Sequence, residues 1–306
     1  MPEAKAIKTL SAPLRVFWEL PPEKIGGPDV GIALGIAEEL ARLKIFFVTL
    51  RLSGPRADIA KLIAALKAGG VRLTISLVSP DAFSGWDALS GADAVEFFPS
   101  DVNGLRDIAA RTGNIPEGTK ISLAMVPAAG GAAEIIAMTD AGLKLGIGTF
   151  NLINPLVTSV SDAKRYILRE SDRASLKEGL ERLLVPFSDG VKLFVHDLFL
   201  HGALELPGLG GRIEYAGCQA GDAIAYIDGS CSVFPCASFP VNLGNMKQHS
   251  MKELWSGAAR TELRRLIAAL PAGCRDCTDA ADCKGGCRGI AYVLGGHDAK
   301  DPACGR

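Results

Sequence analysis

Eight cysteines carry the clustered chemistry of this sequence, and all fall in its last third: Cys218, Cys231, Cys236, Cys274, Cys277, Cys283, Cys287 and Cys304. The spacing is C-x12-C-x4-C, a gap, C-x2-C-x5-C-x3-C, a second gap and a final cysteine. A C-x2-C pair sets two thiolates on one tight turn, so both can reach the same metal. Gly285 and Gly286, between two of the cysteines, allow the backbone to pass close to a bulky inorganic core. Three chemistries use such residues. Disulfides belong to oxidising compartments. Structural zinc takes four thiolates per site. Iron–sulfur clusters are held by four thiolates as well. Spacing alone does not separate the last two.

Composition narrows the choice. The formal charge is −1 over 306 residues, which leaves no broad basic surface for nucleic acid or an anionic membrane. The opening MPEAKAIKTLSAPLR lacks the apolar region of a signal peptide, and runs such as IFFVTL are too short to span a bilayer. A cytoplasmic protein is expected, with its thiols reduced and available to metal.

The elements that must position these cysteines read as an α/β fold. From residue 14 to about 200, short β-rich runs (LRVFWEL, IFFVTLRLS, VRLTISLVS, AVEFFPS, KISLAMVP, GIGTFNLIN, VKLFVHD) alternate with helix-like stretches. In DVGIALGIAEELARLK, Val30, Leu34, Ala37 and Ala41 recur at helical spacing behind Asp29, a candidate N-cap. Repeated strand–helix alternation implies a parallel sheet with right-handed crossovers. A partial (β/α)6 TIM-like barrel fits, and a doubly wound open sheet is the competing arrangement.

The pattern changes near residue 205, where LPGLGG reads as a linker. The expected division is residues 1–205 and residues 206–306. The second part holds a hairpin, AIAYIDGSCSVFPC, turning around Asp228–Cys231, and one helix, SMKELWSGAARTELRRLIAAL, with Ser250 and Glu253 as a capping box. So small a core calls for staples, which bound metal can supply.

The motifs CQAGDAIAYIDGSCSVFPC, LGNMKQHSMKELW, CRDCTDAADCKGGCRGIAY and DPAC together resemble the SPASM domain, the C-terminal extension of radical SAM enzymes that modify peptides and proteins. The resemblance runs from about residue 212 to 306. It implies two auxiliary [4Fe–4S] clusters: a distal one on Cys274, Cys277, Cys283 and Cys304, and one nearer the barrel on Cys218, Cys236 and Cys287, its fourth site open or filled by another residue. Cys231 departs from the family pattern, which has glycine there. It is either that fourth ligand or a bystander in a turn whose glycine has moved to Gly229.

The same resemblance implies a radical SAM partial barrel ahead of the SPASM domain. Such barrels carry C-x3-C-x2-C after the first strand and GGE after the second. Here those places read PPEKIGGPDVG and LRLSGPR. Glu23, Lys24 and Asp29 are poor ligands for a soft iron–sulfur core. The barrel is therefore expected to be degenerate, with S-adenosylmethionine an unlikely ligand and its cleavage lost. With the run VHDLFLH…EYAGCQAG…YID, the sequence resembles the SPASM-only partner of GeoRSP-type systems. That likeness implies as partners an intact radical SAM/SPASM enzyme, a small PqqD-like peptide-binding protein, and a peptide or protein substrate. The function expected is electron transfer or substrate binding in such a complex, with no catalytic residue assigned. A stand-alone enzyme using an open-site cluster and a metal-stapled structural module are the alternatives.

Outside the cysteines, Glu19, Glu96, Asn151, Asn154 and Asp197 stand near predicted C-terminal strand ends, where barrel sites are built. His196 and His201 flank DLFL just before the cysteines; a role near the inner cluster is one reading, an ordinary packed or surface histidine the other.

Overall fold

The computed structural model describes residues 10–206 and 217–305. All seven expected barrel strands form: β1 (Arg15–Leu20), β2 (Phe47–Leu52), β3 (Arg72–Leu77), β4 (Ala94–Phe97), β5 (Ile121–Met125), β6 (Thr149–Leu152) and β7 (Lys192–Val195). They lie side by side in chain order, every neighbouring pair parallel. Helices α1 (Val30–Arg42), α2 (Ile59–Ala68), α3 (Val102–Thr112), α4 (Ala132–Lys144), α5 (Val160–Arg165), α6 (Glu170–Leu184) and α7 (Leu198–Leu204) fill the connections. The step from β3 to β4 has only short 3-10 turns. The sheet is that of a partial barrel, not a doubly wound one.

Asp29 does cap α1, accepting from the amide of Ile32 at 2.8 Å. The buried face of α1 is Ala33, Ile36, Ala37, Leu40 and Ala41, whereas Val30 is exposed. The helical period holds, with Ala37 and Ala41 on the buried face, while Val30 in the first turn lies off it. The stretch SDAKRYILRESDRASLKEGLERLL divides into α5 and α6.

The hairpin forms as β8 (Ile224–Ile227) and β9 (Ser232–Phe234), followed by β10 (Gly244–Asn245). β8 pairs in parallel with β1, from Arg15 opposite Ile224 to Trp18 opposite Ile227. The cysteine-rich region therefore extends the barrel sheet to ten strands, in the order β10-β9-β8-β1-β2-β3-β4-β5-β6-β7. One core cluster runs through both, from Val16 and Trp18 to Phe239, Trp255 and Ile267. LPGLGG, apart from Leu206, lies outside the described residues.

The single long helix expected after the hairpin is two: α8 (Met251–Ser256) and α9 (Ala258–Ala268), broken at Gly257, whose ψ of 158° is extended. The Ser250–Glu253 capping box is present. Two further helices follow, α10 (Ala280–Cys283) and α11 (Arg288–Gly295).

Strand alternation sends Val16, Trp18 and Leu20 of β1 into the core and turns Arg15, Phe17 and Glu19 toward the barrel interior. Register then builds a polar row across five strands: Glu19, Arg51, Ser76, Glu96, Ser122. Arg51 pairs with Glu19 at 3.2 Å, and Glu96 accepts from Ser76 at 2.9 Å and Asn151 at 3.1 Å.

Candidate metal centre

The thiols gather in two groups. Cys218, Cys236 and Cys287 line one cavity, with an empty volume of about 440 Å³, together with Asn154, His196, Asp197 and Gln219. Three different elements bring them there. Cys218 precedes the bridge between Ala220 and Ile224, Cys236 follows β9, and Cys287 is the N-cap of α11. Burial pushes all three thiols up, Cys236 to about 12 and Cys287 well above the ordinary value. Mutual repulsion adds to this, Cys218 acting on Cys236, and Asp301, Cys218 and Cys236 acting on Cys287.

Opposing that cost, backbone amides aim at each sulfur: Ala220 and Arg288 at Cys218, Ser238 and Phe239 at Cys236, Ile290 at Cys287. Arg264, held by the carbonyls of Cys218 at 2.8 Å and Ala220 at 3.0 Å, favours the Cys218 thiolate too. Arg288 is 3% exposed, and its Nη1 has no hydrogen-bond partner.

The second group is Cys274, Cys277, Cys283 and Cys304. Cys274 is raised by burial and then by Cys304 and Cys277, and Cys283 by burial and by Cys304 and Asp301. The amides of Gly285 and Gly286 point at Cys283. Among the described residues no three of His, Cys, Asp or Glu stand close enough to hold a single metal ion.

One residue that joins the two groups was not singled out from the sequence. Asp301, 2% exposed, accepts from the amide of Cys287 at 2.5 Å and of Ala303 at 2.9 Å, while its own carbonyl accepts from Cys304 at 3.0 Å. It thus ties a cysteine of each group to one carboxylate residue. Burial raises its carboxyl to about 6. Gly286 must be glycine for this packing: φ is +67°, and a Cβ would lie 2.4 Å from the Asp301 carboxylate. Asp301 precedes DPAC's cysteine by three residues, a local signal that cysteine spacing overshadows.

Cys231 stands apart. It lies in the β8–β9 turn, 0% exposed in the main core, with its amide donating to Asp228 at 3.0 Å. The charged groups felt by its thiol are Lys247, Asp228, Arg56 and Asp29, and it does not line the three-thiol cavity. Its φ of +72° is the left-handed conformation that favours glycine. The turn's glycine has therefore not moved to Gly229. That residue is needed for a different reason, since a Cβ there would meet Pro21 at 2.8 Å.

The loop after β1 is tied down by its own chain. Arg56, after β2, forms a two-point pair with Asp58 at 2.9 and 2.6 Å and donates to the carbonyls of Pro21 at 2.9 Å and Pro28 at 3.1 Å. The loop folds back so tightly that a Cβ on Gly27 would sit 2.1 Å from the Pro21 carbonyl. Glu23 and Lys24 form a 3-10 turn there with no buried residue, and Asp29 is occupied in capping α1.

Of the wall candidates, Glu19, Glu96 and Asn151 belong to the polar interior, while Asn154 and Asp197 line the thiol cavity. Asp197 is engaged as the N-cap of α7, accepting from Leu200 at 2.7 Å. His196 follows β7 and lines the same cavity; His201 lies in the last turn of α7. Burial, and then Arg15, lower His196 to about 4.

Residues 218–278 match the SPASM family model, an iron-sulfur cluster-binding domain. That stretch of the chain is similar to a SPASM domain. The match includes Cys218, Cys231, Cys236, Cys274 and Cys277. Across 89 residues, 29% of this chain, the sequence is 30% identical to an AdoMet-dependent heme synthase of Methanosarcina barkeri (strain Fusaro / DSM 804), and that stretch spans 25% of the relative. The fold as a whole is shared with solved structures. Streptococcus suis SuiB bound to its precursor peptide SuiA superposes with a TM-score of 0.68 at 16% identity, over 97% of this chain and 77% of that one. Native anSMEcpe with bound AdoMet gives 0.60 at 12% identity, over 95% and 94%. No helix among the described residues is long and apolar enough to cross a membrane.

The donors in the cysteine-rich region fit an iron–sulfur group. They are soft thiols from separate segments, partly buried apart from the buried Cys274, with amides aimed at several of the sulfurs in the manner that tunes such clusters.

Proposed function

We propose that this chain is an accessory iron–sulfur protein serving an intact radical SAM enzyme that modifies a peptide or protein. The observation that carries the reading is the split of the thiols into two groups beside a barrel mouth that has none. Cys218, Cys236 and Cys287 would hold the cluster nearer the barrel, and Cys274, Cys277, Cys283 and Cys304 the distal one. Bound there, two [4Fe–4S] clusters would supply electron transfer. The chain's own residues stabilise the thiolates through amides and Arg264, shield them in part from bulk water, and link the two groups through Asp301.

Cleavage of S-adenosylmethionine is not part of this function. The loop between Pro21 and Asp29 offers no thiolate, and Arg56 holds it closed. SuiB with its bound precursor peptide supports a peptide as the substrate class. A GeoRSP-type arrangement would supply the radical SAM/SPASM enzyme and the PqqD-like peptide-binding protein. The division of labour falls near residue 206, the barrel binding a partner or peptide and the SPASM domain carrying the clusters.

The test is iron, acid-labile sulfide and zinc content of anaerobically purified and reconstituted protein, with a S-adenosylmethionine cleavage assay on the same sample. About eight irons and eight sulfides per chain and no cleavage are expected. About two zincs without sulfide would overturn the reading. About twelve irons with cleavage would make the chain a complete radical SAM enzyme.

A further inference from the structure

The cavity beside the barrel has three thiols, and a four-iron cluster has four irons to ligate. Four other polar side chains line it: Asn154, His196, Asp197 and Gln219. Asp197 is engaged at the start of α7. Gln219 donates its side-chain amide to the Gly217 carbonyl at 3.2 Å, and amide oxygens such as those of Gln219 and Asn154 are hard donors suited to magnesium or calcium. His196 is different on each count. Its imidazole makes no hydrogen bond to any described residue, while its backbone amide is fixed to the Leu152 carbonyl at 2.9 Å as an extension of the β6–β7 ladder. Strand alternation places it on the same face as Phe194, away from the core-packed Leu193 and Val195, so it faces the barrel interior. Solvent reaches the ring although the barrel wall surrounds it. Imidazole is a proven substitute for thiolate on iron in iron–sulfur centres.

We propose that His196 supplies the fourth ligand of the iron–sulfur group held by Cys218, Cys236 and Cys287. The inference rests on the proposed function above. Cys231 does not line this cavity; it lies in the β8–β9 turn within the main core. With His196 in place, that cluster has no vacant iron for substrate, which favours electron transfer over Lewis-acid chemistry in this protein.

The test uses the full chain, reconstituted anaerobically, reduced, and labelled with nitrogen-15 at histidine. Iron, sulfide and zinc are measured on the same samples. Pulsed electron paramagnetic resonance is expected to show one directly coupled nitrogen that changes isotope with the label. The coupling should vanish in His196→Gln, with about one iron lost per chain and a three-iron signal in the oxidised protein. His196→Cys, which offers a fourth thiolate, should restore the iron and not the coupling. Circular dichroism guards against misfolding. Full iron and sulfide with no nitrogen coupling, or a coupling that survives in His196→Gln, would overturn the assignment of His196 and leave the proposed function standing. Zinc without sulfide would overturn both.

Discussion

The loop from Pro21 to Pro28 and the segment from Cys274 to Cys304 are both glycine-containing turns beside the barrel, yet they are finished differently. In the first, the polypeptide is its own ligand. Arg56 satisfies two carbonyls and a carboxylate, its pair with Asp58 has side chains 2% and 3% exposed, and glycine lets the loop close on itself. In the second, amides and a carboxylate arrange sulfurs, and burial raises the thiols of Cys274, Cys283 and Cys287. A thiol raised by burial is poorly solvated in its anionic form. A loop that closes on itself needs no further group, whereas converging soft donors are the kind that a metal group can satisfy. The core underneath sharpens the contrast. The hairpin and α8–α9 share the main core with the barrel, whereas Ile290 of α11 packs in a small separate cluster with Val157 and Ala163.

Breaking the second region should have the largest effect. Cys287→Ala removes a proposed ligand at the head of α11 and should lower iron from about eight to about four per chain. Hydrogen exchange should then show faster opening of residues 271–305 than of β8 and β9. Equal opening of both would mean the two parts depend on metal alike.

Arg56→Ala breaks the first region. A buried charge left unpaired costs about 3–5 kcal/mol. Urea unfolding should register that loss while iron and sulfide stay at wild-type content. A fall in iron would mean the barrel mouth and the thiol sites are one cooperative unit. Gly286→Ala is a milder insult to the tail. The left-handed conformation costs a side chain about 1–2 kcal/mol, and the new Cβ would displace Asp301. Reduced iron occupancy with a nearly unchanged unfolding midpoint for the barrel is the expected pair of results. The smallest effect is expected from Cys231→Ala. Iron content should not change, and stability should move by no more than about 1–2 kcal/mol for the small buried side chain. Loss of iron in this variant would place Cys231 among the ligands after all.

Much of the scaffold was legible because its signals are local. Seven β-rich runs became seven strands, and Asp29 and the Ser250–Glu253 pair became caps. What escaped depends on distant partners. The amphipathic pattern continues across Gly257, so only its ψ reveals two helices. The pairing of β8 with β1 joins residues about two hundred apart, and no periodicity encodes it. Asp301 and Arg56 are single charged residues whose roles exist only once several loops meet them.

The sequence by itself determined the kind of chemistry: the number and spacing of soft donors, and the want of thiolates after the first strand, are properties of composition and order. Only the tertiary structure decided the geometry. It placed His196 in the cavity with Cys218, Cys236 and Cys287, set Cys231 apart in a left-handed turn, and tied the loop after β1 to Arg56. Donor type is a covalent property of each residue. Donor convergence is fixed by which strands share an edge and which charges must be satisfied on burial.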